Sequence, residues 1–333
     1  MSTAKRVPET ALRLDGDAAR ETLTDVGKRQ LLKDAFARLR AADGTSHARS
    51  LAFMGALVLV QALIVLLGTA AAFGNAGLTT KIADNVGGAV PGPAGTVLTD
   101  AVQQANRVGA AHAYVPLLLG LLSLLITAAF AMGQMERGLN RLYGVERDRP
   151  ARQKYTRALL LAVSVGPLLG AALLLIGFAP DPAAATSLGE VWIYARWPIA
   201  LGLVGASLAM LLRLAPNRHQ PGRAWLTFGA ITAVVLWMTT TIALAVAFRF
   251  ASTFPQTYGP LAGVVALLLW TYLSALAIFY GVAVAAELEA VAARGQETKE
   301  RSLDGRISTA RDRPSPSDEA PIQVTDSPSA VQG

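Results

Sequence analysis

The segment from Pro260 to Leu288, PLAGVVALLLWTYLSALAIFYGVAVAAEL, runs 27 residues before its first charged side chain, Glu287. About 20 apolar residues in a helix rising about 1.5 Å per residue cross a hydrocarbon layer roughly 30 Å thick, and a helix keeps its backbone hydrogen bonds internal where no water is available. Five further stretches share this character, at approximately 50–74, 113–133, 158–178, 193–214 and 224–248. Buried helices of soluble proteins seldom sustain such runs past about 14 residues. The sequence therefore predicts an all-α integral membrane protein with six transmembrane helices, short amphipathic helices and disordered termini. The first stretch begins too late and is too long for the apolar core of a signal peptide. With no cysteine, disulfide and thiolate chemistry are excluded.

Basic residues close to membrane spans are retained on the cytoplasmic side. Ten of the 30 Lys and Arg precede the first span, seven follow the second, three follow the fourth and six follow the sixth. The loops after the first, third and fifth spans carry only Lys81, Arg107, Arg196 and Arg249. Both termini are thus expected in the cytoplasm. The formal charge of +7 is explained by topology and by anionic lipid at the cytoplasmic face, and no nucleic-acid partner is expected. Trp192, Tyr194 and Trp197 open the fourth span as an interfacial belt, and Phe250, Phe254 and Tyr258 lie between the fifth and sixth.

Four segments follow from these patterns. Residues 1–27 are polar and expected to be disordered. Residues 28–48 hold a cytoplasmic helix and linker, with Leu31, Leu32, Ala35, Phe36 and Leu39 on one face and Lys28, Arg29, Lys33, Arg38 and Arg40 bordering it. Such a helix either lies in the headgroup layer or packs on neighbouring loops. Residues 49–290 are the six-span domain, and residues 291–333, rich in Ser, Pro, Asp and Glu, form an expected disordered tail. Between the first two spans, Val97, Leu98, Ala101 and Val102 recur at helical spacing, which predicts one or two short amphipathic helices.

Two groups of residues carry recognisable motifs. Leu139 to Pro150 reads LNRLYGVERDRP. Further on come Leu214-Ala215-Pro216-Asn217-Arg218, Arg223-Ala224-Trp225, Gly229-Ala230, Tyr258-Gly259-Pro260-Leu261-Ala262, and Leu267 to Leu276, which reads LLLWTYLSAL. In this order they resemble the BrkB/YihY family of bacterial inner-membrane proteins, whose members once carried the name ribonuclease BN. The resemblance covers about residues 30–290 and implies six spans, in agreement with hydropathy and charge. It implies no settled activity. One departure is visible: where the family has a GAELNAEL-like run, this chain reads GVAVAAEL, so Ala283 and Ala285 replace an acid and an Asn, and Glu287 remains.

The candidate residues at the cytoplasmic side are Asn140, Arg141, Tyr143, Gly144, Pro216, Asn217, Arg218 and Glu287; at the outer turn and in the sixth span they are Tyr258, Gly259, Trp270, Tyr272 and Ser274. Gly144 suits a left-handed helix cap and Pro216 ends the fourth span. The cytoplasmic group, with Glu136, forms either a polar mouth or a helix terminus with ordinary salt bridges. The Gly166-Pro167 pair suits close packing, a kink or a broken helix. The histidines, His47, His112 and His219, fall on both sides of the membrane, and no metalloprotease, nucleophile-elbow or phosphate-loop motif appears. No catalytic residue, metal or cofactor is therefore expected. A transporter or permeability protein for an uncharged or lipid-like substrate is the first functional expectation. The alternative is a non-catalytic envelope-integrity or virulence-associated component, and a ribonuclease comes last. The oligomeric state is not readable.

Overall fold

The computed structural model describes residues 3–8, 27–72, 92–96, 100, 114–177, 187–218, 223–251, 253–258 and 260–311. Among them the regular structure is helical: α1 (Lys28–Ala41), α2 (Gly44–Ala72), α3 (Tyr114–Leu142), α4 (Ala151–Gly177), α5 (Ser187–Leu214), α6 (Arg223–Phe250), α7 (Thr253–Tyr258) and α8 (Pro260–Arg311). Six of these, α2 to α6 and α8, are long and apolar enough to cross a membrane. At 29 residues, α3 is about 43 Å long, so it outreaches the hydrocarbon layer and carries its polar last turns beyond it. Its apolar part exposes Leu118, Leu122, Ile126 and Phe130, at 64%, 56%, 49% and 48%, along one face. A four-residue repeat of exposed large apolar side chains is a surface made for lipid rather than water.

Consecutive spans pack side by side from α2 to α6. The sixth span is the most enclosed: 44% of its apolar window is buried, against 11–33% for the others. Two devices bring α8 against α6. Gly229 and Gly281 meet backbone to backbone, and a Cβ on Gly229 would lie 2.7 Å from the Gly281 carbonyl oxygen. Higher in the same interface Trp270 Nε1 donates to Thr241 Oγ1 at 3.2 Å, and Trp237 Nε1 donates to Ser274 Oγ at 3.1 Å. Indole N–H groups buried among apolar side chains need such acceptors. Alongside, Ala56 and Leu63 of α2, Leu244 of α6 and Ala266, Leu267 and Trp270 of α8 form one core with Ala94. Between α2 and α3, Gln61 donates to Ser123 Oγ at 3.1 Å.

Several expectations change in detail. Residues 3–8, placed in a disordered segment by composition, are docked on the bundle, as described below. The expected tail is helical through Arg311. Its Ala, Glu, Lys and Arg content favours a helix, with no proline until Pro314. Residues 292–333 form a separate compact unit, described only through Arg311. Pro167 is accommodated inside an unbroken α4. On α1, Leu31, Ala35 and Leu39 are buried while Leu32 and Phe36 face outward, so the apolar stripe is divided between protein and surroundings. The helices expected around Val97 to Val102, and Gly259, lie outside the described residues.

Replacing Gly281 by Val forces α6 and α8 apart and is expected to cost about 1–3 kcal/mol by overpacking. At Gly202 a Cβ would meet nothing within 4 Å, so this position should accept Ala with little change. Thermal unfolding of both variants in detergent checks the contrast.

Candidate functional site, a buried ion-pair network at the basic end

The end of the bundle where α1, the close of α3, the close of α5 and the end of the sixth span meet carries the chemistry. It begins with a helix cap. Gly144 adopts φ 74°, its N–H bonds the Arg141 carbonyl at 3.2 Å, and the Val145 N–H bonds the Asn140 carbonyl at 2.8 Å. This is a Schellman stop, which satisfies the last carbonyls of α3 and turns the chain back across the helix end. The loop that follows, 143–150, thereby lies over the end of α5.

Arg149, from that loop, is the tie between α3 and α5. Its guanidinium donates to Glu136 Oε1 at 2.8 Å, to the Ala215 carbonyl at 2.9 Å and to the Pro216 carbonyl at 2.8 Å. Pro216 stops α5, and the planar fork of Arg149 caps the two carbonyls, of Ala215 and Pro216, that follow the helix. Asn140, fully buried, performs a second tie: its Oδ1 accepts from the Asn217 N–H at 2.8 Å and its Nδ2 donates to Asp148 Oδ1 at 3.0 Å. Asn217 in turn donates to the Arg147 carbonyl at 3.3 Å. Lys154 of α4 bonds Asp148 Oδ2 at 3.1 Å. Burial alone would raise the Asp148 carboxyl, but the bonds from Asn140 and Lys154 and the charges of Lys154 and Arg137 outweigh it and hold it below the usual carboxylate range.

The end of the sixth span contributes two acids. Glu287 accepts from Arg38 Nε at 2.7 Å, and Glu289 pairs with Arg218. Two residues apart on a helix, they point about 200° from each other, so protein must cover opposite sides of α8 for both to be buried. It does, with α1 on one side and the segment after α5 on the other. Arg218 also stacks over the Tyr143 ring, 4.7 Å from its centroid. Burial, reinforced by the Glu289 charge, pushes the Tyr143 phenol far above its ordinary range, so it stays neutral.

Thr3 to Pro8 lies across this network as a strap. The Ala4 N–H bonds the Arg141 carbonyl at 3.2 Å and the Val7 N–H bonds the Tyr143 carbonyl at 3.1 Å. Arg38 Nη1 donates to the Lys5 carbonyl at 2.9 Å, Arg218 Nη2 to the Pro8 carbonyl at 3.5 Å, and Arg141 Nη1 to Thr3 Oγ1 at 3.2 Å. Ala4 and Val7 are buried. A side chain at Gly144 would run into the Arg6 backbone, so the glycine serves both the turn and the strap.

All eight candidates from the basic side, Asn140, Arg141, Tyr143, Gly144, Pro216, Asn217, Arg218 and Glu287, are brought together here. Of the second group, Tyr258, Trp270, Tyr272 and Ser274 are not part of it. Trp270 and Ser274 bind α8 to α6, Tyr272 is half-buried in α8, and Tyr258 is exposed at the end of α7. Sequence reasoning marked Asp148 and Glu289 only as acids available on that side, without partners, and it missed Arg149 as the central donor and Lys154. The signal present in the sequence was the acids themselves: Glu136 and Glu289, next to apolar helical runs, require cations when buried. Ala283 and Ala285 are fully enclosed, and a Cβ on Gly229 would lie 2.8 Å from the Ala285 methyl. Among the described residues no group of three His, Asp or Glu side chains is placed to hold a metal ion.

Fold and site together define a multi-pass helical membrane protein whose spans are joined at one end by buried ion pairs. Residues 35–304 match the family described as virulence factor BrkB, and the chain belongs to that family. It is 30% identical over 191 residues to a UPF0761 membrane protein of Alteromonas mediterranea, covering 55% of this chain and 60% of that protein. It is 27% identical over 264 residues to the ribonuclease-like protein YfkH of Bacillus subtilis, covering 75% and 92%. A UPF0761 membrane protein of Bordetella petrii is 33% identical over 171 residues, 49% of this chain and 36% of that protein. The chain thus spans less than two thirds of two of these relatives. No solved structure matches it.

Replacing Arg149 by Ala leaves Glu136 buried without its cation, together with two carbonyls. A loss of about 3–5 kcal/mol is expected, seen as a large fall in melting temperature in detergent. Arg141→Ala, which breaks only weak peripheral bonds, should cost about 1 kcal/mol or less.

Because the folded Asp148 carboxyl is more acidic than the unfolded one, its stabilisation is complete above the unfolded value and is lost as pH falls through the folded value. Melting temperature should therefore drop on acidification below about pH 4, and Asp148→Asn should flatten that part of the profile.

Proposed function

We propose that the protein carries, or eases the passage of, an uncharged or lipid-like substrate through a bacterial inner membrane, and that it does so without covalent catalysis. The observation that supports this is an open groove of about 370 Å³ between α5 and α6, walled by Gly205, Ala206 and Ala209 on one side and Thr227, Ile231 and Val235 on the other. Its volume falls within the range of small-molecule sites, which are mostly apolar with few polar groups. Its walls belong to membrane-spanning segments, so it opens sideways into lipid. None of its lining side chains is ionisable, which suits an occupant already dissolved in the bilayer. The basic bias favours a cytoplasmic position for the network, the strap and the inner mouth of the groove, with both termini. Glu136, Glu287 and Glu289 are each held by an arginine, which suits scaffolding better than acid–base work. The description virulence factor favours, as the alternative, a structural role in the envelope.

The test is lipid movement in liposomes containing the purified protein, followed by the loss of a fluorescent headgroup signal to an impermeant quencher. Native protein is expected to speed transfer between leaflets over protein-free liposomes, and Ala206→Trp, which fills the groove, to return it to that baseline. Equal rates with and without native protein would overturn the proposal.

A further inference from the structure

A charged residue lies one helical turn past the groove on α5. Gly205, Ala209 and Arg213 follow one another at four-residue intervals on α5, so they share a face, each about 6 Å further along the axis. Gly205 and Ala209 wall the groove, and Arg213, in the last turn of α5, is exposed. On the opposite wall α6 runs the other way, with Thr227 toward the same end and Ile231 and Val235 deeper in the membrane. By helical register, an arginine thus lies about one turn beyond the apolar wall of the groove, on the same side of α5. That arginine differs from its neighbours. Arg38, Arg149 and Arg218 each hold a buried glutamate, whereas Arg213 makes no ion pair among the described residues.

We infer that the α5–α6 groove is a binding site for an anionic phospholipid, with one acyl chain along Ala206, Ala209 and Ile231 and the headgroup phosphate on Arg213. This rests on the lipid reading of the groove and adds the sign of the headgroup. An arginine at the membrane boundary offers a planar, permanently charged fork that matches phosphate, while its aliphatic stem lies along apolar surface. The nearest competing role, simple compensation of the helix C-terminal dipole, would confer no preference among lipids.

Native mass spectrometry of the protein in mild detergent, titrated in parallel with phosphatidylglycerol and phosphatidylcholine of identical chains, separates these. The native chain should take up phosphatidylglycerol about five-fold more tightly, the scale expected of one basic residue at an anionic headgroup. Arg213→Gln should bring the two lipids to parity while still binding both, and Ala206→Trp should weaken both. Equal affinities in the native chain, or an unchanged preference in Arg213→Gln, would overturn the headgroup assignment and leave the lipid-like substrate standing. Binding of both lipids unaffected by Ala206→Trp would remove the groove itself. Displacement of phosphatidylglycerol by millimolar inorganic phosphate, with no effect on phosphatidylcholine, would show a site for a soluble anion and overturn the lipid assignment.

Discussion

A charged side chain removed from water must find its opposite, and the basic end of this bundle is organised by that requirement. Glu136, Glu287 and Glu289 are buried, and each is met by an arginine from a different part of the chain: Arg149, Arg38 and Arg218. Single removal of either partner from such a pair is far more costly than the net worth of the pair, because the survivor stays buried and unpaired. The pairs therefore act less as adhesive than as a rule about which segments can lie together. α1 is bound to the sixth span, the α3–α4 loop to α3 and the end of α5, and the segment after α5 to the sixth span.

The sixth span is where these constraints and the apolar ones converge. Its small residues, Gly281 and Ala285, admit α6 at backbone distance, and Phe279 fills the space beside Gly138 of α3. Close approach through small residues is the usual way helices gain packing in lipid, where the hydrophobic effect supplies no drive between spans. Ala283 and Ala285 sit at the positions where the family resemblance places an acid and an Asn, and both are enclosed by protein. In this chain the polar work of that helix is carried one to two turns later, by Glu287 and Glu289.

The spans were legible because hydropathy over 20 residues is a strong local signal, but the helices run past the apolar stretches, from 133 to Leu142 in α3 and from Leu288 to Arg311 in α8. The cap at Gly144 and the stop at Pro216 were also legible, since each follows from the conformational limits of one residue. The grouping of Asn140, Asn217, Arg218 and Glu287 came from motif resemblance, while the identity of their partners did not. Arg149 looks in sequence like one more basic loop residue; only the three-dimensional meeting of Glu136 with the Ala215 and Pro216 carbonyls gives it three acceptors. Thr3 to Pro8 was opaque for a related reason. Its order comes from bonds to backbone carbonyls about 135 residues away in the chain, and such bonds leave no mark on composition.

Arg38 and Glu287 are 249 positions apart. At a ribosomal rate of about 5–20 residues per second, the arginine is made roughly 12–50 s before its acid exists. The same delay, shorter, separates Arg218 from Glu289. During that interval each guanidinium has to remain hydrated or rest against lipid phosphate, and the strap has no complete surface to settle on. The ion pairs of Arg38 and Arg218 with the sixth span can therefore form only after that last span has been made, when Glu287 and Glu289 arrive.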